Sequence, residues 1–239
     1  MNGTLFGLAL RRLLFRRRSL LLALAPLLSA VVALIQAADG STGADTLASL
    51  MEQLFLALIL PFIGLVIGSS ALGEERDDGT ILYLASTPLP RLAIALPAIA
   101  AAAIATAAIC LPGLLLTIVL AAGDDLSATN AAWAIASVIA GAITYAAVFG
   151  ALSLRIKRPV VVGLIYVLFW EGSIATFAPS ARWLSLGAYA RAVVAGGLPD
   201  ATDRNVPAIG APAAVLVLAA VTAAATLWCG RRLSRIQLP

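Results

Sequence analysis

The chain has 239 residues, of which 62% are hydrophobic and only 12% charged, and its mean hydropathy is +1.01. A soluble domain cannot cover so much apolar surface, so lipid must cover it, and the sequence reads as an integral membrane protein. The net charge of +4 comes without a single histidine, which excludes serine–histidine hydrolysis, histidine-ligated haem and most histidine-based metal sites.

Residues 2–18 mix leucine and phenylalanine with five arginines. This pattern suits a helix lying in the membrane interface with snorkelling arginines; the alternative is a helical extension of the first span. The run Arg16, Arg17, Arg18 reads as a flank against acidic lipid headgroups, with no nucleic-acid partner implied. Span 1 is expected over about Ser19 to Ala37 and, lacking a clean small-residue cleavage site, reads as a retained anchor. Span 2 covers about Leu47 to Leu72, where Pro61 and Gly64 are candidates for a kink.

Gly73 to Arg91 then interrupts the apolar pattern with Glu74, Glu75, Arg76, Asp77 and Asp78 in a row. Such a charged stretch cannot stay in hydrocarbon and must be a loop on one face of the membrane. Asp78 is a good N-cap, and Pro88 with Pro90 would stop a short helix from about Thr80 to Ser86.

Span 3, about Leu92 to Ala121, is alanine-rich, as befits a helix inside a bundle. Span 4 runs from about Ala131 to Leu154 and span 5 from Val160 to about Phe177, with the basic turn Arg155, Lys157, Arg158 between them. Residues 178–207 are too polar to span, yet Trp183, Leu184, Leu186, Tyr189 and Val193 recur at helical spacing. One or two short helices dipping into or lying on the membrane surface are expected there. Span 6 is about Ala208 to Cys229. Cys110 and Cys229 read as packing residues in apolar segments.

Six spans place both termini on one side of the membrane. Thirteen of the sixteen basic residues fall on that side, in the N-terminus, the 73–91 loop, the 155–158 turn and the C-terminal tail. Arg182, Arg191 and Arg204 fall on the other. By the positive-inside rule both termini and the 73–91 loop are cytoplasmic, most simply at a bacterial inner membrane. The fold class expected is all-α, one polytopic transmembrane domain over residues 1–239.

Few residues invite chemistry. The acidic loop offers half of a magnesium-binding pattern of the kind used by membrane phosphotransferases, but no second aspartate cluster follows. Glu171, about 11 residues into span 5, is near mid-membrane if the helix is continuous at ~1.5 Å per residue. It is then a polar pathway or gate residue, or a partner of Arg182 or Arg191. Alternatively the helix breaks at Gly172 and Glu171 reaches the outer interface beside Trp170.

The loop and its surroundings resemble the membrane subunits of ABC transporters of the ABC-2 type. Members carry a Gly-Glu-x-x-x-Gly-Thr-like loop after span 2, then a leucine-rich turn and Ser/Thr-Pro; the matching residues here are Gly73, Glu74, Glu75, Asp78, Gly79, Thr80, Leu82, Leu84, Ser86, Thr87, Pro88 and Arg91. The six-span layout, the N-terminal interfacial helix and the dipping segment before the last span extend the likeness over the whole chain. The resemblance implies a permease subunit, an exporter, paired with a second permease copy and with a separate ATP-binding subunit. That partner would hold ATP and Mg, and this chain no cofactor; no phosphate-loop motif occurs in it. Glu74 to Pro88, with Arg76, Asp77 and Leu82, would be the element that docks into the partner. Two alternatives stand beside this reading: a haem-exporter-type permease of cytochrome c maturation, and a stand-alone channel or secondary carrier.

Overall fold

The computed structural model describes residues 3–14, 17–77, 92–174, 179–198 and 209–233, and every regular element among them is helical. The chain runs α1 (Gly3–Leu14), α2 (Arg17–Leu22), α3 (Leu24–Ala38), α4 (Ala44–Leu50), a π-helical segment (Met51–Ile59) and α5 (Leu60–Asp77). Next come α6 (Leu92–Leu120), α7 (Ala128–Ser153), α8 (Pro159–Ile165), a second π-helical segment (Tyr166–Ile174) and a 3₁₀ turn (Pro179–Leu184). Two helices, α9 (Leu186–Val194) and α10 (Ala211–Leu233), complete the described chain.

Four stretches are long and apolar enough to cross a membrane: Ala44–Gly73, Ala95–Leu120, Ala128–Ser153 and Ala211–Arg232. They coincide with expected spans 2, 3, 4 and 6. Spans 1 and 5 correspond to shorter apolar helices, Leu24–Ala38 and Pro159–Ser173. A turn at Ala23 divides the first of these from α2, so α3 alone, at ~1.5 Å per residue, is shorter than the ~30 Å of hydrocarbon.

α7 is the hub, packing against α5, α6, α9 and α10. Its N-terminus is fixed by a capping box in which Ser127 accepts from the Asn130 N–H, while the Asn130 side chain accepts from the Ser127 N–H. Its buried face is made of small residues, including Ala134, Ser137, Gly141, Ala142, Ala146 and Gly150. Lipid removes most of the hydrophobic drive between helices, so close backbone approach and interhelical hydrogen bonds must hold them together.

α5 meets that face with Gly64 and Gly68. A Cβ on Gly68 would lie 3.0 Å from the Ala146 Cα, and one on Gly64 would lie 2.6 Å from the Tyr145 Cβ. Gly64 is thus a packing contact inside a continuous helix. The departure from α geometry comes earlier, in Met51–Ile59, where the Leu60 N–H reaches back five residues to the Phe55 carbonyl. Pro61 has no N–H and its ring crowds the carbonyl four residues before it, so a widened turn ahead of it relieves the clash.

α3 packs on α6 in the same manner: Pro26 fills the space beside Gly113, and the Ser29 and Thr117 hydroxyls lie 2.8 Å apart. Thr222 of α10 donates to Thr144 of α7 at 3.1 Å. Bonds of this kind contribute roughly 0.6 kcal/mol each in a membrane.

The two ends of the bundle are distinct. At one, Gly73 lies beside Ser153 and Gly230 beside Leu92, which gathers the ends of α5, α7 and α10 and the start of α6. At the other, the Gly43 N–H donates to the Ala121 carbonyl at 2.7 Å, and Asp125 accepts from the Ala44 N–H at 3.1 Å. Asn130 donates to the Gly197 carbonyl at that same end, at 2.6 Å.

Candidate functional site

Two places carry the charged residues singled out by the sequence. The first is the end of α5. The expected loop begins at Gly73, but the helix continues through Glu74, Glu75, Arg76 and Asp77. The absence of Pro and of further Gly between 73 and 78 lets the α5 ladder run on once the chain has left its packed stretch. Asp78, Gly79, Thr80, Leu82, Ser86, Pro88 and Arg91, with the short helix expected over 80–86, lie outside the described residues.

The second place is Glu171. The structure corrects the expectation that the helix breaks at Gly172 and delivers this residue to an interface. Glu171 is only 4% exposed and lies within the uninterrupted π-helical segment Tyr166–Ile174. Its Oε2 accepts from the Tyr145 hydroxyl at 2.6 Å. Its Oε1 accepts from the Tyr166 hydroxyl at 3.1 Å and from the Gly187 N–H at 3.1 Å. Three elements, α7, the π segment and α9, thus converge on one carboxylate.

Local geometry explains each contact. Residues five apart in an α-helix point about 140° away from each other, so Tyr166 and Glu171 could not meet there. The wider π turn brings positions i and i+5 onto one face, and the pair bonds within its own helix. Gly187 belongs to the first turn of α9, which is capped by Ser185 accepting from the Ala188 N–H at 3.2 Å. A helix N-terminus favours an anion, and Glu171 supplies it. A Cβ on Gly187 would stand 3.2 Å from Glu171 Oε2, 3.3 Å from the Tyr145 hydroxyl and 3.6 Å from Arg191 Nη1. Glycine is what lets these three groups crowd together.

Arg191, one helical turn beyond Gly187, is 6% exposed, and its Nε has no hydrogen-bond partner among the described residues. Around the carboxylate, Tyr145 stacks on Phe149 with centroids 5.8 Å apart, and Phe149 meets Tyr166 edge-on at 6.3 Å. Arg182, the other candidate, is half-buried on the 3₁₀ turn.

The segment 178–207, expected to include helices dipping into or lying on the membrane surface, is partly internal. Every residue of α9 is buried, and Ser137 of α7 donates to the Ala190 carbonyl at 2.7 Å. Its apolar residues face protein because Gly187, Ala188, Ala190 and Ala192 are small enough to admit α7 and α10 closely. Sequence reasoning found Glu171 and considered Arg191 as its partner, but missed Tyr145, Tyr166 and Gly187. The available signal was an intramembrane tyrosine at each of two positions, readable only with the π register.

Chemically the cluster is a lock. The carboxylate's charge is met by three donors, one of them the N–H of a helix N-terminus, so it can be buried. Among the described residues no group of acidic, cysteine or histidine side chains is placed to hold a metal. A separate groove of about 550 Å³ lies between α6, α7 and α10, lined by Leu96, Ile143, Val215 and Leu227 with the threonines Thr144, Thr222 and Thr226.

An all-helical bundle with four spanning-length apolar helices and a charge lock at its centre defines a polytopic membrane protein. Residues 13–178 match the family model described as ABC-2 family transporter protein, and the chain belongs to that family. It is therefore an integral membrane permease subunit of an ABC transporter. Among curated proteins none matches the chain.

Proposed function

We propose that this chain is the membrane half of an ATP-driven exporter, coupled through residues 73–91 to a separate ATP-binding subunit that carries the ATP and Mg. Family membership is the observation that carries the reading. The acidic run Glu74, Glu75, Asp77 and Asp78 supports it, because such a cluster of carboxylates suits a basic surface on another protein. Both termini face the cytoplasm in this reading, at an inner membrane, by the distribution of basic residues. Two permease copies would enclose one pathway, because a single set of so few spans offers half of one.

α5 supplies the lever. From Gly64 to Asp77 it is a continuous helix about 20 Å long, so a displacement at residues 78–91 arrives at Gly64. Gly64 rests on Tyr145, and Tyr145 holds Glu171. Closure of the partner would thereby strain or release the Glu171 lock and switch the spans between two arrangements. Glu171 is the gate element in this scheme, and Arg182 lies on the turn that leads into α9. The apolar groove and the scarcity of polar groups in the spans favour a lipophilic or amphipathic substrate.

Affinity purification of the chain from its native host in mild detergent, followed by mass spectrometry, tests the proposal. A stoichiometric protein with a phosphate-loop ATPase motif is expected. A chain that purifies alone and transports in liposomes without ATP would instead be a stand-alone carrier.

A further inference from the structure

The two π-helical segments have different causes. In Met51–Ile59 the wide turn precedes Pro61, and the Leu60 N–H reaching back to the Phe55 carbonyl makes room for the proline ring. Tyr166–Ile174 is equally long, at 9 residues, yet no proline lies between residues 160 and 178. A π-helix is rare and mostly lasts a single turn, so a stretch of this length without a proline needs something else to hold it.

Inside the segment the wide register shows at three successive pairs, each five residues apart. Tyr166 donates to Glu171 at 3.1 Å, and the Ser173 hydroxyl donates to the Leu168 carbonyl at 3.5 Å. Between them, a Cβ on Gly172 would lie 3.5 Å from the Val167 carbonyl oxygen. Glu171 also ties the segment to its neighbours, accepting from Tyr145 of α7 at 2.6 Å and from the Gly187 N–H of α9 at 3.1 Å. α9 touches both π segments, and the two π segments touch each other. In an α-helix Glu171 would stand about 140° around the axis from Tyr166. The α register and the complete carboxylate cluster therefore exclude one another, and register and cluster form one equilibrium.

We propose that Tyr166–Ile174 is a register switch: the Glu171 contacts hold it in the π form, and it rewinds to α when they break, which frees the N-terminus of α9. Met51–Ile59, set by Pro61, keeps its form and gives α9 a fixed neighbour. What trips the switch rests on the coupling proposed above, through Gly64 and Tyr145. The switch itself belongs to this chain alone.

The chain has no histidine, so a pair of introduced imidazoles reports the register through metal binding. Leu168→His with Ser173→His sets the pair five apart at exposed positions, where a π turn aligns them and an α turn does not. Phe169→His with Ser173→His sets them four apart, the spacing at which an α-helix presents two metal ligands on one face. The full chain, purified in detergent without a histidine tag, is titrated with Ni²⁺. The five-apart pair should bind about a hundredfold more tightly than Leu168→His alone, because the second ligand engages the same ion. Adding Glu171→Leu should abolish that gain and leave the four-apart pair binding at least as well as before. Should Glu171→Leu fail to fold, Tyr145→Phe lowers the gain in the same direction. ATP binding to the assembled complex should lower it as well. A five-apart gain that survives both substitutions would overturn the proposal. So would a loss in both pairs, since the segment would then melt instead of rewinding. A gain lost with Glu171→Leu but unmoved by ATP would uphold the switch and contradict the coupling to the partner.

Discussion

The molecule treats its two groups of acidic residues in opposite ways. Glu171 sits at the centre of the bundle with each oxygen accepting from a tyrosine and one also from the Gly187 N–H. Glu74, Glu75 and Asp77 belong to the stretch of α5 that follows Gly73, where the helix passes Ser153 at one end of the bundle. A charge completed within its own chain is a structural device, and in the function proposed above the acidic run of residues 74–78 is instead addressed to a partner subunit. In that proposal the first is a lock, the second a handle, and α5 joins them.

Breaking the lock should have the largest effect. Glu171→Ala leaves the Tyr145 and Tyr166 hydroxyls and the Gly187 N–H without their acceptor, so a loss of about 3 kcal/mol is expected, at about 1 kcal/mol for each donor. It is measured as thermal unfolding in detergent; a change within 1 kcal/mol (roughly the cost of one ordinary hydrogen bond) would mean the carboxylate is not the tie between α7 and α9. Gly68→Leu comes next, because any side chain there meets the Ala146 backbone at 3.0 Å. Forcing α5 from α7 should cost about 1–3 kcal/mol and lower the yield of folded protein after extraction.

Glu74→Lys with Asp78→Lys should abolish co-purification of the ATP-binding subunit while leaving thermal stability within about 0.5 kcal/mol of the parent. Undiminished co-purification would remove the handle. The smallest effect belongs to Tyr166→Phe, which deletes the longer of the two tyrosine bonds at 3.1 Å and should cost about 1 kcal/mol.

Much of the architecture was legible because lipid enforces simple rules. Apolar runs of spanning length located four long helices, and the alanine content of the third span foretold its close packing, whereas the small-residue face of the fourth was not read. The charge cluster after span 2 was expected to open a loop at Gly73, but the helix carries Glu74 to Asp77. The carboxylate cluster was half legible. Glu171 stands out in any apolar span, but its partners depend on a π turn, and hydrophobic periodicity at 3.6 residues carries no signal for one. The burial of α9 was missed for a related reason. Arg191 reads as a surface residue until its proximity to Glu171 is known.

The central claim is that the handle and the lock form one device, and ATP hydrolysis by the assembled complex carrying Tyr145→Phe tests it most directly. Tyr145 is buried in the bundle, where it meets Gly64 on α5 and donates to Glu171. A change of about two- to thirtyfold in the hydrolysis rate, with the complex still intact, is the predicted result. An intact complex hydrolysing ATP at the parent rate would contradict the account.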